Sequence, residues 1–297
     1  MGYHTGVFRL ALSGMLLVFF LCLPDWATAA WMGEKMQTVE EMREGITFSQ
    51  MLKAATENED MAAQLWLADR YFTGRGCRQN YVRSHQWYVR AAENGARDAY
   101  YNLGVIHVLG KGMQKDVEAG VGWLKKAAVA GDVEAQYFLG QIYFNGEGVV
   151  KDQGKAAYWW GMGAAREEQR SLYNLGLSYY YGQGVVPDDV RAVDLWQRAA
   201  GQGMREAQYN LAVMYDEGRG VVQDMTRALP LFLDAGEQGH PLAQMALGQI
   251  YETGRSEVPV DILEAIRWYG MAAAQGMPEA RRRLLLLRGG AGFAVAQ

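Results

Sequence analysis

Residues 207–224 read AQYNLAVMYDEGRGVVQD, and this stretch decides the fold because its pattern returns along the chain. Leu211 is one of six leucines, with Leu67, Leu103, Leu139, Leu175 and Leu247, spaced 36 residues apart without slippage. Four residues beyond each leucine stand Tyr71, His107, Tyr143, Tyr179, Tyr215 and Tyr251. A small residue follows each leucine: Ala68, Gly104, Gly140, Gly176, Ala212 and Gly248. A glycine pair comes next, from Gly74/Gly76 to Gly218/Gly220, with Gly254/Ser256 as the one defect. A fixed period of 20 to 50 residues marks a solenoid, a propeller or an array. Six full repeats start at Ala63, Ala99, Ala135, Ser171, Ala207 and Ala243, and a half-repeat starts at Ala280 after a one-residue insertion near Val258 and Pro259.

Each repeat reads as two helices. Counting the first residue as 0, the residues at +4, +5 and +8 share one arc with residue 0 at 100° per residue, which makes helix A amphipathic. The first glycine ends helix A, because glycine takes the left-handed conformation without a Cβ penalty. Helix B starts behind Asn80, Asp116, Asp152, Asp188, Asp224 and Asp261, whose side-chain oxygens suit an N-cap. It carries a bulky residue at +24 (Trp87, Trp123, Trp159, Leu195, Leu231, Trp268) and a small one at +28. By this phase Trp66, Trp160 and Trp196 fall off the core arc and are expected partly exposed. The third repeat departs from the pattern, with Arg166 to Arg170 replacing the glycine turn.

The ends differ from the repeats. Arg9, the apolar run Leu10 to Leu23 and the small-x-small site Ala27-Thr28-Ala29 read as a signal peptide over 1–29. That run is short of the ~20 residues of a membrane span. Residues 30–62 form an N-terminal capping region whose Phe48 to Glu57 has helix-B character. The six repeats fill 63–279, a C-terminal capping helix 280–288, and a flexible tail 289–297. The net charge is −4 and stays there without 1–29, since Arg9 and Asp25 leave together. A mildly acidic chain with no basic stripe is a poor nucleic-acid binder. Beyond residue 29 only Cys77 remains, so no intrachain disulfide is available and stability rests on packing.

The segments Ala207 to Tyr215, Asn145-Gly146-Glu147-Gly148-Val149 and Asp152-Gln153-Gly154-Lys155-Ala156 resemble the Sel-one-like repeat family, a branch of the tetratricopeptide-like helical solenoids. The resemblance runs from Phe48 to about Leu287. It implies an all-α fold, a right-handed α-solenoid of stacked antiparallel helix pairs with helix A lining the concave face. It also implies an adaptor or scaffold role, in bacteria often at the cell envelope. Cysteine-rich relatives linked to penicillin binding carry paired cysteines in each repeat, and this chain has none.

Catalytic signals are weak. The glycine pairs follow no strand and lead to no phosphate-loop lysine. His107 occupies a tyrosine position and reads as a packed histidine, and Cys77 has no phased base beside it. No cofactor, no metal site and no enzymatic activity are expected. The functional surface is expected on the other arc of helix A, at +2, +3, +6, +9 and +10. The binding candidates there are Tyr101, Asn102, Tyr137, Phe144, Tyr173, Asn174, Tyr180, Tyr181, Tyr209 and Asn210. Aromatic and amide residues recurring on an open face suggest an interface, and asparagine is a mediocre helix former. Inter-repeat packing is the competing explanation. The reading is an exported scaffold, periplasmic or secreted, that binds a protein or peptide on helix A. A cell-wall enzyme subunit or a module binding an envelope glycan is the alternative.

Overall fold

A computed structural model describes residues 48–294, with side chains through residue 289. The signal-peptide reading over 1–29 lies outside the described residues. The chain divides into two units at Lys151 and Asp152. The first holds α1 (Phe48–Glu57), α2 (Met61–Thr73), α3 (Tyr81–Glu93), α4 (Asp98–Leu109), α5 (Val117–Val129) and α6 (Val133–Asn145). The second holds α7 (Gln153–Ala164), α8 (Gln169–Tyr181), α9 (Asp189–Gly201), α10 (Arg205–Glu217), α11 (Met225–Glu237), α12 (Pro241–Thr253), α13 (Ile262–Ala274) and α14 (Pro278–Ala294). The fold is an all-α solenoid: within each unit every helix packs on its sequence neighbours. The last helix continues through Gly289 to Ala294, past the boundary at 288 read from the sequence.

The caps set the helix pairs. Asp188 is extended (φ −154°), and its carboxylate accepts the backbone N–H of Arg191, while its own N–H donates to Tyr179 O. Asn80, Asp116, Asp224 and Asp261 repeat both bonds. One residue thus starts helix B and ties it to the end of helix A. The third repeat lacks the glycine turn, so Glu167 takes the left-handed conformation itself (φ 59°) and Glu168 caps α8. Arg198 holds that turn, bonding Ala164 O at 2.8 Å and the Glu167 carboxylate at 2.7 Å.

The small residue at +5 is a socket. A Cβ on Gly104 would sit 2.5 Å from Leu124, on Gly176 2.4 Å from Trp196, and on Gly248 2.5 Å from Tyr269. These partners share position +25 of helix B, where Tyr88, Leu124, Trp160, Trp196, Phe232 and Tyr269 are all buried. The sequence reading placed the helix-B core at +24, and Trp87, Trp159 and Trp268 are buried there, but Trp123 and Leu231 are half-buried. Trp160 and Trp196, expected partly exposed, are buried core residues; Trp196 is so because +25 points straight into the Gly176 socket, and Trp66 is half-buried.

The second glycine of the pair makes the contact between repeats. A Cβ on Gly220 would lie 2.6 Å from the Asp189 backbone, and one on Gly112 2.6 Å from Tyr81. Both glycines have positive φ, so space and backbone conformation demand glycine together. Glutamines at +1 add a polar staple. Gln64, Gln136 and Gln244 donate to Ala55 O, Ala128 O and Gly236 O of the preceding helix. Gln64, Gln208 and Gln244 accept from Asn94, Gln238 and Gln275 at the end of the following helix B. Gln64 and Gln244 are bonded at both ends of the amide, so their burial carries little desolvation penalty.

Candidate functional site

The ten candidate residues fall into separate environments. In the first unit Tyr101, Asn102 and Tyr137 are buried and do not line an open surface, which corrects the helical-wheel expectation. For Tyr101 and Asn102 the physical reason is that α4 is apolar nearly all round, with Ala99, Leu103, Val105, Ile106 and Val108 also buried, and such a helix is enclosed rather than half-solvated; Tyr137 on α6 is flanked by the buried Gln136 and Phe138. Phe144 is half-buried, with the Lys151 ammonium 5.5 Å from its ring centroid.

The second unit brings Tyr173, Asn174, Tyr180, Tyr181, Tyr209 and Asn210 onto α8 and α10. Most are engaged. Tyr180 packs on Trp196 at 5.5 Å and lies under the Arg219 guanidinium at 4.4 Å. Arg219 donates to the Tyr180 hydroxyl and forks onto both Asp189 oxygens at 3.0 and 3.1 Å. Tyr173 shares a side-chain hydrogen bond with Asn210, and burial, then the charge of Glu206, pushes its hydroxyl pKa up. Tyr209 stacks on His240 at 4.6 Å and 22°; burial and then Glu217 push its pKa up as well. Asn174 is half-buried. Tyr181 is the outlier: it meets Tyr180 edge-on at 4.8 Å and is 62% exposed.

One rule of the site was missing from the sequence reading. The residue after the glycine that ends helix A reaches back to the preceding repeat at Lys111, Arg219 and Arg255. Arg219 finds Tyr180 and Asp189, Arg255 finds Asp216 at 2.6 Å, and the Lys111 ammonium lies 5.4 Å from the Tyr81 ring centroid. At +9 the loop arginine of the next repeat is met by stacking at Tyr180 and by an ion pair at Asp216. The recurrence of cations at that loop position was visible, but its 39-residue reach is a fact of the fold.

The histidines and Cys77 serve local structure. His240 caps α12, its Nδ1 accepting the Ala243 N–H at 3.2 Å, which leaves the ring hydrogen on Nε2. His85 and His107 face each other with Nε2 atoms 3.2 Å apart; one hydrogen sits between them, so one ring donates and the other accepts. The Cys77 thiol lies 3.4 Å from Arg70 O, and burial pushes its pKa up against the pull of Arg70 and Arg83, which disfavours a thiolate nucleophile. Among the described residues no three His, Cys, Asp or Glu side chains gather closely enough to hold a metal ion.

Sockets, caps, glutamine staples and loop cations repeated at one period define a helical-repeat scaffold. The Sel1 repeat matches residues 62–95, 97–132, 133–167, 169–204, 205–240 and 241–277, and the chain belongs to the Sel1 repeat family. Members are generally non-catalytic scaffolds for protein–protein interaction. Two solved structures are similar. One is c5321, a protective antigen of uropathogenic Escherichia coli strains with an SLR fold, at 30% identity and a TM-score of 0.63 over 80% of this chain and 58% of that one. The other is a Sel1 repeat protein from Oxalobacter formigenes, at 30% identity and a TM-score of 0.61 over 76% of this chain and 90% of that one. The chain thus spans 58% of the length of the Escherichia coli relative. A search of curated proteins finds no match.

Proposed function

We propose that this protein is an exported, non-enzymatic scaffold that holds a protein or peptide partner on the helix-A face of its second unit, with Tyr181 at the centre of the contact. The observation that carries the proposal is Tyr181 itself: a tyrosine 62% exposed beside a second tyrosine fixed by Arg219 and Trp196. A rigid aromatic neighbour lowers the ordering cost of binding, and tyrosine buries a large area with few rotatable bonds. The exposed residue at the same position of the next repeat is Glu217, and Glu206 lies near Tyr173. An extended peptide with an apolar segment and a basic end fits this order. The N-terminal apolar run supports export, and the family's usual role supports a protein partner.

The test uses peptides selected by display against the full chain. Tyr181→Ala should weaken the selected peptides by about 30-fold, the ~2 kcal/mol of an interface hot spot, with the melting temperature unchanged. Equal affinity of Tyr181→Ala and wild type would remove Tyr181 from the site and with it the main support for this face.

A further inference from the structure

The last helix, α14, has two unlike sides. Its inner side is core: Ala280 is buried, and Leu284 and Leu287 pack with it against Tyr269 and Ala272. Arg283 is pinned by Glu252 at 2.7 Å. The outer side carries Arg281, Arg282, Leu285, Leu286 and Arg288, all exposed, with Leu285 at 66% and Leu286 at 61%. A shallow hollow of about 340 Å³ lined by Met277, Pro278, Arg281, Arg282 and Leu285 adjoins them.

Leu285 stands five residues after Ala280, at the socket position. In the six full repeats that position is glycine or alanine, because helix B must insert its +25 side chain there; a Cβ alone on Gly248 would come within 2.5 Å of Tyr269. A leucine fills the socket outright. A further helix B, from this chain or from a second copy, therefore cannot seat on α14 at the spacing used elsewhere in the fold. The apolar face is not an unfinished repeat, and its occupant must tolerate two protruding leucines ringed by arginines.

We propose that the outer face of α14 rests on an anionic lipid bilayer, with Leu285 and Leu286 in the boundary between headgroups and acyl chains and Arg281, Arg282 and Arg288 against lipid phosphates. Charge complementarity argues for it: the outer face of α14 carries Arg281, Arg282 and Arg288 against one glutamate, Glu279, which pairs with Arg282 at 3.0 Å, in a chain of net charge −4. An amphipathic helix with basic and large apolar side chains lies in the interface plane, bound by buried apolar area and by attraction to anionic headgroups. Arginine stems add apolar contact while their guanidinium groups reach the phosphates. No described helix is long and apolar enough to cross a membrane, so the contact is peripheral.

The test places an environment-sensitive fluorophore on Leu286→Cys in the full chain, with Cys22→Ser and Cys77→Ser removing the other thiols. The local probe separates this helix from any contact made by the N-terminal apolar run. Vesicles of phosphatidylcholine with 30% phosphatidylglycerol (about the anionic fraction at which surface attraction is strong) should shift its emission to the blue, and pure phosphatidylcholine should not. Arg281→Glu with Arg282→Glu and Arg288→Glu should weaken the response at least ten-fold. No shift on anionic vesicles would overturn the proposal. So would a shift that appears without lipid as protein concentration rises, which would assign the face to a second copy, or one produced only by an acidic peptide. The labelled parent, which leaves the arginines intact, decides the matter even if the charge-reversal variant fails to fold.

Discussion

Replacing Asp69 by asparagine should make the protein relatively more stable as the pH rises. The Asp69 carboxyl lies on α2 beneath Tyr88, which is buried and donates its phenolic hydrogen to Oδ1. Burial raises its pKa from 3.8 to about 6, against the opposing pull of the Tyr88 hydrogen bond, Arg70 and Arg75. The folded state therefore holds this proton more tightly than the unfolded state. The stability it contributes is fully present below pH ~3.8 and is lost as the pH rises through ~6. A rise of this size is worth at most about 3 kcal/mol; residual solvent access to Asp69 brings the expectation to about 1–3 kcal/mol. Asparagine keeps the acceptor for Tyr88 and never ionises. His85 and His240 act in the opposite sense: burial lowers both pKa values, so they remove stability as the pH falls below ~6.5. Their effect cancels when wild type is subtracted from variant. Urea unfolding at pH 4, 5, 6, 7 and 8 should give a difference curve favouring Asp69→Asn by about 1–3 kcal/mol more at pH 8 than at pH 4. A flat difference curve would refute the reasoning and return Asp69 to ordinary solvation.

The socket is tested by two glycines in neighbouring helices. Gly248→Ala drives a methyl into the buried Tyr269 ring and should destabilise by about 1–3 kcal/mol, less the ~1 kcal/mol that alanine gains in a helix. Gly270→Ala meets nothing within 4 Å and should instead stabilise by about 0.5–1 kcal/mol; the same sign for both in thermal melts would dismiss the socket. For export, N-terminal sequencing of the protein recovered outside the cytoplasm should begin at or near Ala30, whereas a Met1 or Gly2 start in the membrane fraction would show that the apolar segment is retained.

How much of this could be read from the chain depended on whether a position is constrained in identity or only in volume. The left-handed turn at Gly218, the cap at Asp188 and the socket at Gly176 each admit few residue types, so they recur as identities and were legible. Position +25 must only be large and apolar. It changes from Tyr88 to Leu124, Trp160, Trp196, Phe232 and Tyr269, and the repeated tryptophans one residue earlier drew the reading to +24. The candidate site was harder still. A helical wheel measures angle, not what stands at that angle, so Tyr101 and Tyr137 shared a phase with Tyr173 and Tyr209 while their surroundings differ. The glutamines at +1 were visible as a row, but their partners lie 8 or 9 residues back on the preceding helix and 30 or 31 ahead on the following helix B.

Tyr180 and Tyr181 are neighbours in the chain and opposite in role, and the difference follows from where helix A ends. At +9 the side chain faces the glycine loop of the next repeat, so Tyr180 meets Arg219 and Asp216 meets Arg255. At +10 the helix has turned a further 100°, and the side chain leaves the stack. Thr73, Leu109, Asn145, Tyr181, Glu217 and Thr253 all occupy +10, and all six are exposed. No packing demand restricts this position, and its residues share neither size nor charge. Positions that build the solenoid are bound to repeat because every helix pair solves the same packing problem. A position freed from that problem can vary without cost to the fold, and there a repeat protein can distinguish one partner from another. Among the six, only Tyr181 is aromatic, and it rests against a tyrosine that the fold already holds still.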